Sequence, residues 1–234
     1  MTTEKEMSFV IGTLKKHRSK FVTPALTEIA KRSNDPYKVL VSCILSLRTR
    51  DETTARVSEA LYRVADNPKE IANLPLKKLS AIIRPVNYYK TKAKRIKEMS
   101  RVIHENSDKV PDTMEGLLAL KGVGRKTANI VLVYGFNSHG IPVDTHVHRV
   151  SNRLGWTETK TPEKTEAALR EILPKKYWMD LNDLFVQFGQ NICTPQRPKC
   201  EKCPLTKNCR YYNNLSVKKI STGKGHITEM KNKK

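Results

Sequence analysis

Apolar residues recur at helical spacing along most of this 234-residue chain, and no segment shows the alternation of a β-strand. This pattern predicts an all-α fold of one large domain or two small ones. Capping residues and prolines mark several helix starts, as at Thr161-Pro162, and Asp51 is expected to cap the helix that follows it. The predicted helices cover residues 5–19, 25–33, 37–47, 51–64, 76–83, 91–106, 113–120, 124–135, 144–154, 162–173 and 179–191, with a short one after Asn67-Pro68.

A turn at residues 120–126, Leu-Lys-Gly-Val-Gly-Arg-Lys, places two glycines directly before a helix. Gly122 and Gly124 can adopt backbone angles closed to other residues and let a ligand approach the backbone. The free N–H groups at the start of the helix favour an anion, so the turn suits a phosphate. The same helix end is expected to shift the amine of Lys126 toward its neutral, nucleophilic form. Because a lysine in this position is often only solvated, the turn alone fits both an enzyme and a binding module.

The net charge of +21, from 44 basic and 23 acidic residues, is typical of a protein that binds a polyanion. Mixed-sign surfaces keep proteins soluble at much lower net charge, so nucleic acid is the favoured partner. The predicted helix 91–106 is expected to show a basic face, which could be a solvated face or could lie against a duplex. Its basic residues are Lys92, Lys94, Arg95, Lys97 and Arg101.

No apolar run approaches the roughly 20 residues that a membrane span needs, and the first residues lack a hydrophobic signal core. We therefore expect an intracellular protein, in the cytoplasm or nucleoid if it is prokaryotic, that acts as a monomer and has no disulfides. Residues 213–234 lose the apolar rhythm and carry six lysines against one glutamate. They are expected to form a mobile basic tail.

Four cysteines within 17 residues follow the spacing C-x6-C-x2-C-x5-C: Cys193, Cys200, Cys203 and Cys209. Four thiolates this close can hold one metal centre, either an iron–sulfur cluster or zinc. Zinc sites usually pair two short C-x2-4-C hooks, and only one such hook is present here, which favours a [4Fe-4S] cluster. The fifth cysteine, Cys43, lies apart in an apolar segment and is expected to be a small buried hydrophobe.

The glycine turn with its lysine, a Val-Asp-Thr-His segment at residues 143–146 and the cysteine spacing occur together and in this order. The combination resembles the endonuclease III family of DNA base excision repair enzymes, within the helix-hairpin-helix glycosylases, over about residues 20–212. The resemblance implies two helical lobes with duplex DNA across the cleft between them. One lobe would be a barrel, 29–138, with the helix-hairpin-helix motif at about 113–135. The other would combine residues 1–28 with the iron–sulfur domain, 139–212.

The resemblance also implies a bifunctional glycosylase and abasic-site lyase that acts on oxidised pyrimidines. The amine of Lys126 would attack C1′ of a flipped nucleotide and form a Schiff base, and β-elimination would then cut the strand on the 3′ side. Asp144 would stabilise positive charge on the sugar and help to move protons, besides capping its helix.

The expected DNA contacts include the hairpin residues Gly122, Gly124, Lys121 and Arg125. Tyr88 matches the position of the wedge that fills the space of the flipped base, with a packed loop aromatic as the alternative. Arg48 stands where the family probes the opposite strand, and His146 is expected to contact phosphate or to serve the structure. The chain departs from the family in having Lys121 where a proline is common and Arg48 where bacterial members often have glutamine.

Two other functions stay open at this point. A monofunctional, adenine-specific mismatch glycosylase of the same superfamily lacks the lysine and relies on a glutamate in the early helix, but residues 36–50 contain no glutamate. A non-catalytic DNA-binding protein with a zinc-stapled end would keep the hairpin but would not need both Lys126 and Asp144.

Overall fold

The computed structural model describes residues 3–17, 28–29 and 35–214, and these ranges contain helices and turns but no strand. The predicted all-α fold is therefore confirmed. The helices are α1 (Glu4–His17), α2 (Pro36–Ser46), α3 (Asp51–Tyr62), α4 (Pro68–Asn73), α5 (Leu76–Ile82), α6 (Tyr89–Glu105), α7 (Met114–Ala119), α8 (Arg125–Phe136), α9 (Thr145–Leu154), α10 (Pro162–Ile172) and α11 (Trp178–Asn191). In the described ranges, none of them is both long and apolar enough to cross a membrane.

Side-chain caps set several of the helix starts that the sequence predicted. The side chain of Asn67 accepts a hydrogen bond from the N–H of Glu70, and that of Thr161 accepts one from the N–H of Lys164. The expected cap at Asp51 is wrong, because Arg50 is the capping position and offers no side-chain hydrogen bond. Residues 18–19 and 215–234, and most of the predicted helix 25–33, lie outside the described residues.

In the part of the chain that the structure describes, the buried apolar side chains form two separate clusters. The first core is built by α2 to α8, and Leu40 and Ile96 are fully buried in it. The second core is built by α1, α9 to α11 and the loop after α11, and it includes Ile11 and Phe185. Two cores of this kind leave a seam between them, along which polar side chains from both halves can meet.

The expected basic face of α6 is only partly present, since Lys92 points into the protein. It is 4% exposed, and its Nζ donates hydrogen bonds to the carbonyls of Leu45 and Leu47 and to Thr49 Oγ1. Burial lowers the pKa of Lys92 to about 8. Lys97 is half-buried and donates to backbone carbonyls as well, so the positive charge that α6 shows to solvent is smaller than its sequence suggests.

Candidate active site

The glycine turn has the geometry of a tight hairpin between α7 and α8. Gly122 has φ +90°, a conformation that side chains with a Cβ rarely adopt, and the N–H of Val123 closes the turn on the carbonyl of Leu120 at 3.0 Å. Gly124 has an ordinary φ of −100°, so it does not need glycine for its backbone angle. A Cβ there would meet no atom within 4 Å, which leaves the start of α8 open to a ligand.

Lys126 is the second residue of α8 and its side chain is exposed. The capping position, Gly124, provides no side-chain hydrogen bond to the first turn of the helix. Among the described residues, no side chain caps these N–H groups, so they could bind an anion; the expected phosphate contact stays a prediction.

Asp144 caps α9. Its Oδ1 accepts hydrogen bonds from the N–H groups of His146 at 2.9 Å and Val147 at 2.8 Å. Among the described residues, Oδ2 has no hydrogen-bond partner. One oxygen of this half-buried carboxylate therefore holds the helix, and the other is available to a ligand.

A cleft of about 590 Å³ between the two cores brings Lys126 and Asp144 onto one surface. A volume of this order is usual for a small-molecule or nucleotide site. Its walls come from α8 and the end of α2 on one side, and from α9, α10 and α11 on the other. The other predicted residues on its lining are Arg48 and His146. Gly122, Gly124, Lys121 and Arg125 do not line it.

Arg48 and Tyr88 meet at the edge of this cleft. Arg48 Nη1 donates to the Tyr88 hydroxyl at 3.3 Å, and its guanidinium carbon lies 5.9 Å from the ring centroid. Tyr88 is 63% exposed, so it is not a packed loop aromatic in the described structure. Two residues that are 40 positions apart in the sequence thus form one exposed pair.

His146 is held within the site as a neutral ring. Burial lowers its pKa, and the charges of Arg149 and Lys126 lower it further against an opposing effect of Asp144. Arg149 Nη2 lies 3.0 Å from His146 Nδ1, so the ring accepts there. At neutral pH the residue accordingly offers a polar ring but no positive charge; its predicted DNA contact stays a prediction.

Arg125 forms an ion pair with Glu166, a residue that the sequence pattern did not single out. The guanidinium donates to both oxygens of this carboxylate, at 2.9 and 3.2 Å, and Glu166 is 3% exposed. Glu166 also accepts from Arg170, whose second nitrogen donates to Asn129 in α8. The carboxylate raises the pKa of Arg125 and fixes the first turn of α8 against α10. No local pattern marks Glu166, because its partners lie on another helix.

A second link between the cores lies along the cleft. The Tyr134 hydroxyl of α8 donates to Asp183 Oδ1 of α11 at 2.7 Å. Within the second half, Asn182 Nδ2 donates to the carbonyl of Pro142 and so ties α11 to the segment before Asp144. Tyr134 and Asn182 both line the cleft. Together with the Arg125–Glu166 pair, these bonds keep Lys126 and Asp144 on facing walls.

The four clustered cysteines form no disulfide in the described ranges, and they line one small cavity beside the second core. Burial, and to a smaller degree the other three sulfurs, raise the pKa of Cys203 to about 11. Several N–H groups of the described residues point at the sulfurs; among them, Arg153 Nη1 lies 3.3 Å from Cys193 Sγ, and the N of Leu205 lies 3.4 Å from Cys203 Sγ. Within the described ranges, no three Cys, His, Asp or Glu side chains are set to hold a single metal ion. Cys43 is buried, as expected.

Comparison with known proteins places the chain among DNA repair enzymes. Residues 41–175 match the family model described as HhH-GPD superfamily base excision DNA repair protein. Endonuclease III of Thermotoga maritima is 48% identical over 192 residues, which cover 79% of this chain and 90% of that protein. Endonuclease III-like protein 1 of Bos taurus is 40% identical over 171 residues, 71% of this chain and 56% of the longer bovine protein.

Solved structures agree with the sequence relatives. A trapped covalent intermediate of endonuclease III with DNA has a TM-score of 0.79 and 29% identity, covering 92% of this chain and all of that one. A non-covalent endonuclease III–DNA complex has a TM-score of 0.81, also at 29% identity, over 93% of this chain and all of that one. A thermostable thymine-DNA glycosylase matches with a TM-score of 0.78 and 25% identity, over 90% of this chain and 98% of that chain.

Proposed function

Since this chain belongs to the endonuclease III family of HhH-GPD base excision repair proteins and is a bifunctional glycosylase and lyase, we propose that it removes oxidised pyrimidines from duplex DNA through Lys126. The observation that carries the proposal is the cleft whose lining includes both Lys126, at the start of α8, and Asp144, the cap of α9. A nucleophilic amine and a carboxylate beside one small cavity are the groups that this reaction needs.

The proposed chemistry assigns one role to each residue. With the nucleotide flipped into the cleft, the neutral amine of Lys126 attacks C1′ and the damaged base leaves. The Oδ2 of Asp144 stabilises the positive charge that develops on the sugar and helps to transfer protons. The sugar ring then opens as the C1′–O4′ bond breaks and O4′ takes a proton, which leaves an imine between Lys126 and C1′. The imine acidifies the 2′ proton, and its loss breaks the C3′–O bond by β-elimination, with the 3′ phosphate as the leaving group.

The binding surface proposed for the duplex runs across both lobes. We assign residues 29–138 to one lobe, and residues 1–28 with 139–212 to the other, a division that the two separate cores support. The hairpin at Gly122 and Gly124 holds the phosphate backbone through the start of α8, with Lys121 as a further charge and the protein acting as a monomer. Arg125 contributes by fixing that hairpin, and its exposed edge is available to phosphate.

The cysteine cavity fits a [4Fe-4S] cluster. Its donors are four thiols, the softest ligands that proteins offer, and N–H groups near the sulfurs are usual around such clusters. We propose Cys193, Cys200, Cys203 and Cys209 as the ligands. When bound, the cluster cross-links the loop after α11, which has too few buried apolar residues to form a core of its own.

Purified protein is expected to be brown and to contain about four iron atoms and four sulfides per chain. Cys203→Ser should lower both contents and destabilise the loop, since a serine is a poor ligand for iron. Cys43→Ala is the matched control, because it removes a buried thiol outside the loop and should keep the iron. Elemental analysis with a sulfide assay tests this, and a colourless, zinc-loaded and fully active protein would contradict it.

The substrate is tested by incubation with a panel of duplexes that carry one lesion each. We expect excision and strand cleavage at thymine glycol and other oxidised pyrimidines, with little reaction on undamaged duplex. Removal of adenine from a mismatch, without strand cleavage, would favour the monofunctional glycosylase instead. Tight binding without any cleavage, also at abasic sites, would indicate a non-catalytic DNA-binding protein.

A further inference from the structure

Two exposed residues at the edge of the cleft have strained backbone conformations. Arg48 has φ 55° and Tyr88 has φ 57°, both in the left-handed region. For a residue with a Cβ this conformation is unfavourable, because the Cβ crowds the following carbonyl oxygen. Such strain persists only where the surroundings hold it in place, and it is typical of functional sites.

Lys92 stabilises the turn after α2, which contains Arg48. Its buried ammonium donates to the carbonyl of Leu45 at 2.7 Å and to that of Leu47 at 2.6 Å, at the end of α2. It also donates to Thr49 Oγ1 at 3.0 Å, so its three bonds surround the strained Arg48. A cation at the carboxyl end of a helix is stabilised by the helix dipole and by carbonyls that the helix leaves unpaired.

Asn87 joins this turn to the second one. Its backbone N–H donates to Thr49 Oγ1 at 3.3 Å, the oxygen that also accepts from Lys92. Its side-chain amide donates to the carbonyl of Arg48. Because Asn87 directly precedes Tyr88, both strained residues are fixed by one network that is centred on Thr49.

A lysine at position 92 does more than fill the space between α2 and α6. Burying a charge is costly unless it is paired, and an apolar side chain could fill the same space between α2 and α6. An ammonium with three acceptors instead fixes the path of the backbone on both sides of Arg48. The charge is thus placed where it defines a loop conformation at the cleft edge.

We propose that Lys92 is the positioning residue that keeps Arg48 and Tyr88 in the geometry that unpairs and probes DNA. It acts through Thr49 and Asn87, and it touches neither the flipped nucleotide nor Lys126. The inference rests on the proposed function. It follows that loss of Lys92 should slow the reaction on duplex substrates, in which a base pair must be broken. It should hardly affect the reaction on single-stranded substrates, in which no base pair has to be broken.

Lys92→Met tests this on two substrates, and Lys94→Met is the matched control, since Lys94 is exposed on the same helix. On a duplex with an oxidised pyrimidine, kcat/KM of Lys92→Met is expected to fall about 100-fold, the size of effect that misplaced positioning groups produce. On a single-stranded oligonucleotide with an abasic site, the rate of borohydride trapping should change less than about threefold. Lys94→Met should resemble the wild type on both.

Equal losses on both substrates would overturn the proposal, because Lys92 would then only support the fold, and so would the absence of any loss. If Lys92→Met does not fold, Thr49→Val removes the shared acceptor at similar volume. It should lower the duplex rate about tenfold, the worth of one hydrogen bond to a charged group, and leave the single-stranded rate unchanged. An unchanged duplex rate for Thr49→Val would also refute the idea. A wild-type protein that traps neither substrate would instead refute the proposed function.

Discussion

Lys126→Ala is expected to abolish borohydride trapping on abasic DNA and to lower strand cleavage by at least about 10³-fold. The amine supplies the bond to C1′, and the cleft lining of the described residues includes no second lysine. The fold should be unaffected, because Lys126 is exposed at the start of α8 and such substitutions change stability by only about 0.5 kcal/mol. Denaturing gels of trapped complexes measure the effect.

Two variants distinguish the role of Lys126 as a nucleophile from the effect of its positive charge. Lys126→Arg keeps a positive charge at the helix start but has no primary amine that can form an imine with C1′, so binding should persist while trapping is lost. Lys121→Ala removes an equal charge from the same hairpin and should trap almost as well as the wild type. In the structure, Lys121 Nζ lies 3.5 Å from Glu98 Oε1. Full trapping by Lys126→Ala would show that another amine is the nucleophile.

The sequence predicted most of the fold because its helix signals are local. Asn67 and Thr161 each cap a helix within three residues of their own position, and the apolar periodicity identifies the buried face of each helix. The incorrect cap at Asp51 has a local cause as well. If Asp51 were the cap, the helix would begin at residue 52. It begins at Asp51 itself, and the residue in the capping position, Arg50, makes no side-chain hydrogen bond to the first turn.

The candidate site was only partly predictable. The turn at Gly122 and the cap at Asp144 follow from local chemistry, but nothing local says that Lys126 and Asp144 face one cleft. That pairing came from the resemblance to a family, and the structure places both residues on the lining. Their proposed roles in catalysis still depend on experiment.

Partners that are distant in sequence could not be predicted. Lys92 looks like one of several basic residues on α6, and only its packing against the end of α2, 45 to 47 residues earlier, buries it. Glu166 looks like a surface acid until Arg125, 41 residues away, pairs with it. The contacts of such residues depend on which helices pack against each other. Apolar periodicity cannot show this, because it describes one helix at a time.

Asp144→Asn is expected to lower the glycosylase rate about 10²- to 10³-fold, the effect of removing one preorganised electrostatic group from an active site. Stability should hardly change, since asparagine caps helices as well as aspartate and can still accept from the N–H groups of His146 and Val147. Single-turnover kinetics on a lesion duplex, with thermal unfolding in parallel, measure both quantities.

Asp144→Ala completes the comparison by removing the cap together with the charge. It should lose the same activity as Asp144→Asn and about 1 kcal/mol of stability in addition. If the two variants differ in stability but both are nearly inactive, the charge at Oδ2 accounts for catalysis and Oδ1 for the fold. If Asp144→Asn keeps full activity, the carboxylate is only a helix cap, and the positive charge on the sugar must be stabilised by another group in the cleft.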